Sequence, residues 1–273
     1  MIDAHFHIWQ LDRGDYGWLT PDLKTIYRNV MPADWQAESA PHGITGGVLV
    51  QAAPTQAETH FLLAQAEANP AVLGVVGWAD LLAPDAPARL ATLAQHPKLK
   101  ALRPMLQDIA NPDWVLQDAL TPAFAAMAQL GLVLDVLAKP VHLPRVLSLA
   151  ARHPTLQMVI DHGAKPDIAA AGWEPWAGLM TRIAKETTAV CKLSGLLTEA
   201  GPAPAPQVAR RWAEHVLSAF GKGRVIWGSD WPVLELASTY ALWFEEAQAV
   251  ADALSPAGHA ALFGGTARRI YKL

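Results

Sequence analysis

Short apolar runs alternate with longer amphipathic, alanine-rich stretches along the whole chain, and this alternation limits the possible folds more than any other feature. Runs that are almost entirely apolar and separated by helices predict a parallel sheet covered on both faces. Eight such units predict an α/β fold closed into a (β/α)8 TIM barrel, with a doubly wound open sheet as the alternative. The predicted strands are Ile2–Ile8, Gly46–Ala53, Val72–Ala79, Leu99–Met105, Leu132–Val136, Leu156–Asp161, Ala189–Ser194 and Val225–Ser229.

The stretches between and after these strands have helical periodicity and helical length. The predicted helices are Pro32–Ser39, Ala57–Asn69, Pro87–His96, Thr121–Gln129, Leu143–Arg152, Trp173–Lys185, Pro206–Phe220, Tyr240–Ala253 and Pro256–Tyr271. The irregular segments 12–28 and 201–206 each follow a predicted strand. In a barrel both segments would overhang the carboxyl-terminal rim, where active sites form.

Size and composition predict one domain over residues 1–273. Hydrophobic residues make up 52% of the chain and charged residues 17%, which is sufficient for a large buried interior. The proline-rich segment 201–206 is short and lies between a strand and a helix, so it is interpreted as a stiff loop and not as a domain linker.

Charge and cysteine content exclude several classes of partner. The formal net charge is −4 and there is no basic tract, which argues against nucleic acid as a ligand. Apolar runs such as Gly46–Ala53 are too short to span a bilayer, and the N-terminus has no signal-peptide pattern.

Cys191 is the single cysteine, so an intracellular, cytoplasmic setting is expected. Sequence leaves open whether the chain is a monomer or a homo-oligomer.

Ionisable side chains follow the predicted strands, beginning with His5 and His7 on the first. Alternate residues of a strand point to the same face, so both imidazoles are expected to project together. His162 ends the sixth predicted strand and Asp230 ends the eighth. Imidazole and carboxylate groups that converge at one rim are suited to proton transfer or to holding a divalent metal.

Other polar and aromatic residues stand at the same predicted rim. Gln51, Arg103 and Lys165 follow the second, fourth and sixth strands, while Tyr16, Trp18 and Trp231 lie in loops where their rings could pack against a sugar. We therefore predict substrate contacts from the following residues: Arg103, Lys165, Tyr16, Trp18, Gln51 and Trp231.

Four motifs together resemble the amidohydrolase superfamily, and specifically its amidohydrolase-2 branch of lactonases. They are Ile2-Asp3-Ala4-His5-Phe6-His7, Asp161-His162-Gly163-Ala164-Lys165-Pro166, Gly228-Ser229-Asp230-Trp231-Pro232 and Gly264-Gly265-Thr266-Ala267-Arg268-Arg269-Ile270-Tyr271. The resemblance covers nearly the whole chain. It implies hydrolysis of sugar aldonolactones such as fuconolactone or rhamnonolactone, or of 2-pyrone-4,6-dicarboxylate and related muconolactones.

The resemblance also bears on metal content. Metal-dependent relatives usually carry a histidine at the end of the fifth strand, whereas this chain has the run 132–139 without one, and His142 lies too far downstream. A two-metal centre is therefore not expected. His5, His7, His162 and Asp230 could hold one Zn²⁺, and metal-free catalysis remains the alternative because similar lactonases of both kinds exist.

Lactone hydrolysis requires a base for water, an electrophile for the carbonyl and an acid for the leaving alkoxide. Asp230 is the predicted general base, with His5, His7 and His162 as the other catalytic residues. Two alternatives remain open at this point. One is a zinc-dependent decarboxylase of aromatic acids from the same superfamily, and the other is a carbohydrate-binding barrel without catalytic activity.

Overall fold

Eight parallel strands form one sheet in which each strand pairs with its neighbours in the sequence. The computed structural model describes residues 1–273 apart from the side chain of Pro206. The ring is completed where the backbone N–H of His7 donates to Trp231 O at 2.8 Å and that of Asp230 donates to His5 O at 2.8 Å. The predicted (β/α)8 barrel is therefore confirmed. The strands are β1 (Ile2–Phe6), β2 (Gly46–Val50), β3 (Val72–Gly77), β4 (Leu99–Leu102), β5 (Val133–Val136), β6 (Met158–Ile160), β7 (Val190–Leu193) and β8 (Val225–Trp227).

Helices cover the outer face of the sheet. They are α1 (Pro32–Ser39), α2 (Gln56–Ala68), α3 (Ala86–Leu93), α4 (Thr121–Leu130), α5 (Leu143–Arg152), α6 (Trp176–Glu186), α7 (Arg210–Phe220), α8 (Tyr240–Ala251), α9 (Pro256–Ala260) and α10 (Thr266–Tyr271). The predicted helix 256–271 is divided because Gly264, at φ +155°, interrupts it within a π turn over Ala261–Gly265. Within the described part of the chain, no helix is long and apolar enough to cross a membrane.

Most strands end a few residues before their predicted carboxyl ends. Polar residues that were predicted to lie in the strands therefore begin the loops at the rim of the barrel. β2 ends at Val50 instead of Ala53, and β4 ends at Leu102 instead of Met105. Single ladder bonds continue past both ends, since Gln51 N–H donates to Val76 O and Arg103 N–H donates to Gly77 O, each at 2.9 Å. Gln51 and Arg103 are thus the first residues of their loops, held by the sheet but aimed at its edge.

The barrel interior is divided into an apolar floor and a polar upper layer. Side chains from the strands fill the floor, and α10 closes it from below. The apolar side chains of this cluster are Ile2, Ala4, Val48, Val50, Val76, Ala101, Val133, Val159, Val190, Ile226, Ala267, Ile270 and Tyr271. Because the floor is packed, a ligand can enter only from the opposite, carboxyl-terminal end.

Candidate active site

A cavity of about 340 Å³ opens at the carboxyl-terminal rim of the barrel. Both its floor and its walls come from residues that follow strands, as the sequence predicts. The lining residues are His7, Trp18, Leu23, Ala52, Arg103, Met105, Gln107, Asp108, Leu137, His162, Lys165, Thr198, Glu199, Asp230, Val233 and Leu236. This volume lies within the range of small-molecule sites.

Three imidazoles surround one carboxylate oxygen at the base of this cavity. Asp230 Oδ1 lies 3.3 Å from His7 Nε2, 3.6 Å from His5 Nε2 and 3.7 Å from His162 Nε2. All four side chains are buried. The structure therefore brings together the four residues predicted to be catalytic, although they are far apart in the sequence.

The carboxylate of Asp3 fixes the backbone next to Asp230. It accepts hydrogen bonds from the Ser229 N–H at 2.9 Å, the Ser229 hydroxyl at 2.6 Å and the Trp35 indole at 2.9 Å. The β1–β2 register shifts between Asp3 and Phe6. This irregularity lets Asp3 contact the helical layer while His5, two residues later, points into the barrel.

Two residues of the site have left-handed backbone conformations. His162 has φ +53° and Asp230 has φ +60°, values that are uncommon for residues with a side chain. At Gly195, a Cβ atom would lie 2.5 Å from His162 Nδ1, so glycine is required for the imidazole to fit. Such strained positions persist only where the surrounding structure fixes them, which is typical of functional sites.

Hydrogen bonds determine how two of the imidazoles present their lone pairs. His7 Nδ1 lies 2.7 Å from the Val50 carbonyl, which can only accept, so Nδ1 carries the proton and Nε2 is free to accept or to bind a cation. His162 Nδ1 lies 2.9 Å from the Ser194 hydroxyl. Both Nε2 atoms therefore face Asp230.

Burial determines the charge of this cluster at neutral pH. Burial, reinforced by the neighbouring Lys192, holds the pKa of His5 well below its usual range. Burial also lowers the pKa of His162 to about 4. For Asp230 burial alone would raise the pKa, but the surrounding imidazoles outweigh it and hold the pKa below its usual range. Asp230 is accordingly an ionised carboxylate beside the neutral imidazoles of His5 and His162.

The donor geometry fits one divalent cation. His5, His7 and Asp230 each offer one ligand atom, and these atoms all lie within 4.8 Å of one another. The two Nε2 atoms are 3.2 Å apart, close to the roughly 3.3 Å that separates nitrogen ligands around a tetrahedral zinc ion. His162 belongs to a second, overlapping set with His5 and Asp161.

The ring of His5 has a suitable partner for either tautomer. Its Nδ1 lies 3.3 Å from Lys192 Nζ and 3.7 Å from Asp161 Oδ1. When Nδ1 accepts from Lys192, Nε2 carries the proton; when Nδ1 donates to Asp161, Nε2 is free to bind a cation. The residues around His5 thus accommodate both a cation-bound and a cation-free site.

Sequence reasoning did not identify the buried ion pairs beneath the site. Lys192 Nζ lies 2.5 Å from Asp135 Oδ2 and 3.0 Å from Asp161 Oδ1, and all three side chains are fully buried. The Tyr271 hydroxyl donates to Asp135 from below at 2.9 Å. A charged residue within an apolar strand, as at Asp135 and Lys192, is the sequence signal that could have revealed them.

Arg103 borders the cavity and is held by Gln51. One guanidinium nitrogen donates to the Gln51 side-chain oxygen at 2.9 Å and also to the Gln51 carbonyl, while the other lies 3.3 Å from Asp161 Oδ2. Gln51 Nε2 donates in return to the Arg103 carbonyl at 3.1 Å. Gln51 is therefore placed to orient Arg103, and Arg103 itself faces the cavity.

Lys165 also borders the cavity, where it forms an ion pair with Glu199. Its Nζ lies 2.8 Å from Glu199 Oε1, which joins the loop after β6 to the loop after β7. Trp18 also lines the cavity and donates its indole N–H to Ala52 O at 2.7 Å. Each of these three side chains can contact a bound ligand.

The structure places Tyr16 and Trp231 behind the wall of the cavity. Tyr16 packs against Trp9, with ring centroids 6.4 Å apart, and Trp231 donates its indole N–H to Glu235 at 2.8 Å. Both residues are buried, so their rings support the loops that carry the lining residues. His142 lies in a turn after β5, where its Nδ1 accepts from the Lys139 N–H at 2.9 Å.

Glu58, at the start of α2, holds the loop that carries Ala52. Its carboxylate accepts hydrogen bonds from the backbone N–H groups of Ala52, at 3.0 Å, and Ala53. Burial raises the pKa of Glu58 to about 7, even though these bonds favour the ionised form. Because Trp18 also bonds to Ala52, this glutamate supports one wall of the cavity.

Comparison with known proteins gives consistent matches over the full chain. The amidohydrolase family model matches residues 2–273. An L-fucono-1,5-lactonase of Burkholderia ambifaria is 43% identical, with coverage of 100% of this chain and 95% of that protein. An L-fucono-1,5-lactonase of Burkholderia multivorans is 34% identical, with coverage of 100% and 96%. A crystal structure of an amidohydrolase from Burkholderia multivorans with bound zinc has a TM-score of 0.93 at 34% identity, with coverage of 100% and 99%.

Proposed function

The chain belongs to the amidohydrolase family, and on that premise we propose that it is a lactonase that opens a sugar aldonolactone with Asp230 as general base. The observation that carries the proposal is the position of Asp230, whose ionised carboxylate stands among three imidazoles at the base of a cavity of about 340 Å³. The relatives named L-fucono-1,5-lactonases make L-fucono-1,5-lactone the first substrate to test.

The charges around the cavity favour a neutral polyol. Arg103 and Lys165 are the positive groups among its lining residues, and Asp108, Glu199 and Asp230 are the negative ones. Lys165 is already paired with Glu199 at 2.8 Å. A dicarboxylate such as 2-pyrone-4,6-dicarboxylate would meet more negative than positive charge here, whereas sugar hydroxyls can donate to carboxylates and accept from Lys165.

The reaction consumes one water and gives the open hydroxy acid. Asp230 accepts a proton from water as the oxygen attacks the lactone carbonyl. The same carboxyl then returns the proton to the ring oxygen as the carbon–oxygen bond breaks. One residue can perform both transfers because the attacking water oxygen and the leaving ring oxygen are bonded to the same carbon, so both lie close to Asp230.

Arg103 is suited to stabilise the negative charge that develops on the carbonyl oxygen. Its guanidinium is fixed by Gln51 and Asp161, so it is already oriented before the charge appears. His162 and Lys165 complete the polar surface and can orient the sugar hydroxyls. A divalent cation held by His5, His7 and Asp230 would supply further Lewis-acid polarisation of the carbonyl.

The decarboxylase alternative has less support from these contacts. An aromatic carboxylate requires positive charge for its carboxyl group, and the lining residues carry more negative than positive groups. The non-catalytic alternative does not explain why three imidazoles are buried around one carboxylate. Burial of so many polar groups is costly unless the site uses them.

A pH-indicator assay with a panel of aldono-1,5-lactones tests the proposal. Hydrolysis of L-fucono-1,5-lactone at a rate proportional to added protein is the expected result. Absence of acid release from every lactone in the panel would refute the lactonase. Release of CO₂ from an aromatic acid would instead favour the decarboxylase.

A further inference from the structure

A second cavity adjoins the catalytic one at the same rim of the barrel. Its volume is about 660 Å³, and it lies among the loops that follow the first four strands. Trp18, Met105 and Asp108 border both cavities. A ligand held in the catalytic cavity could therefore extend past this shared wall into the second one.

Three indoles give the second cavity the character of a sugar site. Trp18, Trp78 and Trp114 border it, and each remains partly exposed. Trp78 follows β3 and Trp114 begins a short helical turn after β4, so the sheet and adjacent turns hold these rings before any ligand binds. Flat, partly exposed aromatic faces offer apolar contact to the C–H face of a pyranose while leaving its hydroxyls free.

Carboxylates supply the polar contacts of this cavity. Asp15, Asp80 and Asp108 border it, and no lysine, arginine or histidine is among its described lining residues. Asp80 Oδ1 accepts from the Leu82 N–H at 3.0 Å and Asp108 Oδ2 accepts from Gln107 at 3.3 Å. The second oxygens of Asp80 and Asp108 remain available to accept from a hydroxyl, whereas Asp15 is already paired with Arg13 at 2.8 Å. An anionic ligand would be repelled, whereas a neutral, hydroxyl-rich ligand would be bound.

We propose that the second cavity is a subsite for a neutral glycosyl unit attached to the aldonolactone. The substrates would then include the lactones of glycosylated aldonic acids, with the lactone ring beside Asp230 and the glycosyl ring between Trp78 and Trp114. This proposal rests on the proposed lactonase function and extends its substrate class. Such a substrate would arise from a reaction that oxidises the reducing end of a disaccharide.

Kinetics on matched lactones test the subsite. The pair is glucono-1,5-lactone and its 4-O-galactosyl derivative, lactobiono-1,5-lactone. We expect a lower KM for the glycosylated lactone in the wild-type protein. Trp114→Ala and Asp80→Asn should each raise that KM by about three- to tenfold relative to the KM for glucono-1,5-lactone, because loss of an aromatic or polar contact has an effect of this order.

Calorimetric binding of lactobionate and gluconate, the open products, provides a readout that does not depend on turnover. Trp173→Ala is the matched control, since Trp173 is a half-buried tryptophan outside both cavities that packs under Arg211, with the guanidinium carbon 3.7 Å from the ring centroid. Lactobionate should bind more tightly than gluconate, and only the Trp114 and Asp80 variants should lose that preference.

The subsite is overturned if lactobionate and gluconate bind equally, or if the variants affect both ligands and both lactones to the same extent. Activity on monosaccharide lactones would in that case leave the proposed lactonase intact. If no lactone is hydrolysed but lactobionate still binds with a preference that depends on Trp114, the lactonase fails and the sugar subsite stands.

Discussion

Lys192 and Asp135 form a fully buried ion pair of 2.5 Å inside the barrel, directly beneath the candidate active site. Lys192 also reaches Asp161 at 3.0 Å and His5 Nδ1 at 3.3 Å. Charges buried this deeply are tolerated only when each is paired. The pair therefore connects the apolar floor of the barrel to the imidazole of His5.

Removal of the lysine should destabilise the fold. Lys192→Met leaves the buried Asp135 without a cationic partner and leaves Asp161 with Arg103 alone, and breaking a buried pair typically costs about 3–5 kcal/mol. Urea unfolding followed by circular dichroism measures the loss. The double variant Lys192→Met/Asp135→Asn, which also removes the orphaned charge of Asp135, should recover part of it; no recovery would mean that the two residues are not energetically coupled.

Asp230→Asn should abolish most activity without unfolding the protein. The amide keeps the shape of the side chain but cannot accept a proton at neutral pH, and loss of a general base typically lowers the rate by about 10²–10⁴-fold. Steady-state kinetics measure kcat, and circular dichroism verifies the fold. Asp118→Asn, a fully exposed carboxylate, is the control; near wild-type turnover in Asp230→Asn would contradict the proposed mechanism.

His7→Ala should lower the affinity for zinc. The substitution removes one of the three clustered ligand atoms, and wild-type protein loaded with Zn²⁺ should contain about one equivalent by elemental analysis after desalting. The variant should retain much less and should lose the increase in Tm that zinc gives the wild type. Equal zinc content in both proteins would exclude this cluster as the metal site.

Glu199→Gln should raise KM while changing stability little. Glu199 and Lys165 are each about one-fifth exposed, and ion pairs near the surface contribute about 1 kcal/mol or less to stability. The ion pair is instead expected to affect substrate binding, because Lys165 without Glu199 would lose its orientation toward the cavity. Glu214→Gln, on the exposed face of α7, serves as the control, and an unchanged KM for every lactone would remove the pair from the binding site.

Deprotonation of Glu58 should lower the free energy of unfolding as the pH rises. Its folded-state pKa of about 7 lies above the ordinary value of 4.5, so the folded protein binds the proton more tightly than the unfolded chain does. The stabilising contribution is complete below pH 4.5 and is lost as the pH rises through 7. The difference amounts to about 3.5 kcal/mol at most, from about 1.4 kcal/mol for each pH unit between the two pKa values.

The variant Glu58→Gln lacks this titration. Its free energy of unfolding, measured by urea denaturation between pH 5 and pH 8, should decrease less with pH than that of the wild type. Glu245→Gln, at an exposed position on α8, should follow the wild-type profile. Parallel profiles for all three proteins would show that Glu58 does not titrate in this range.

The sequence by itself determined a parallel α/β sheet, favoured its closure into a barrel, and placed the candidate active site at the carboxyl ends of the strands. Eight apolar runs separated by amphipathic stretches predict a parallel sheet covered by helices, either closed into a barrel or open, and all eight predicted strands form. His5, His7, His162 and Asp230 follow from the same pattern, because residues at the carboxyl ends of parallel strands must meet at one edge. Both predictions follow from the local periodicity of apolar residues in the sequence.

Only the tertiary structure decided which side chains face one another within that rim. The ion pair of Lys192 with Asp135 joins residues 57 positions apart, and the pair of Lys165 with Glu199 joins two loops whose course no periodicity specifies. Whether Trp18 lines the cavity while Tyr16 packs behind it depends on loop packing over a few ångströms. Such contacts arise from the closure of the whole barrel, so no short stretch of sequence encodes them.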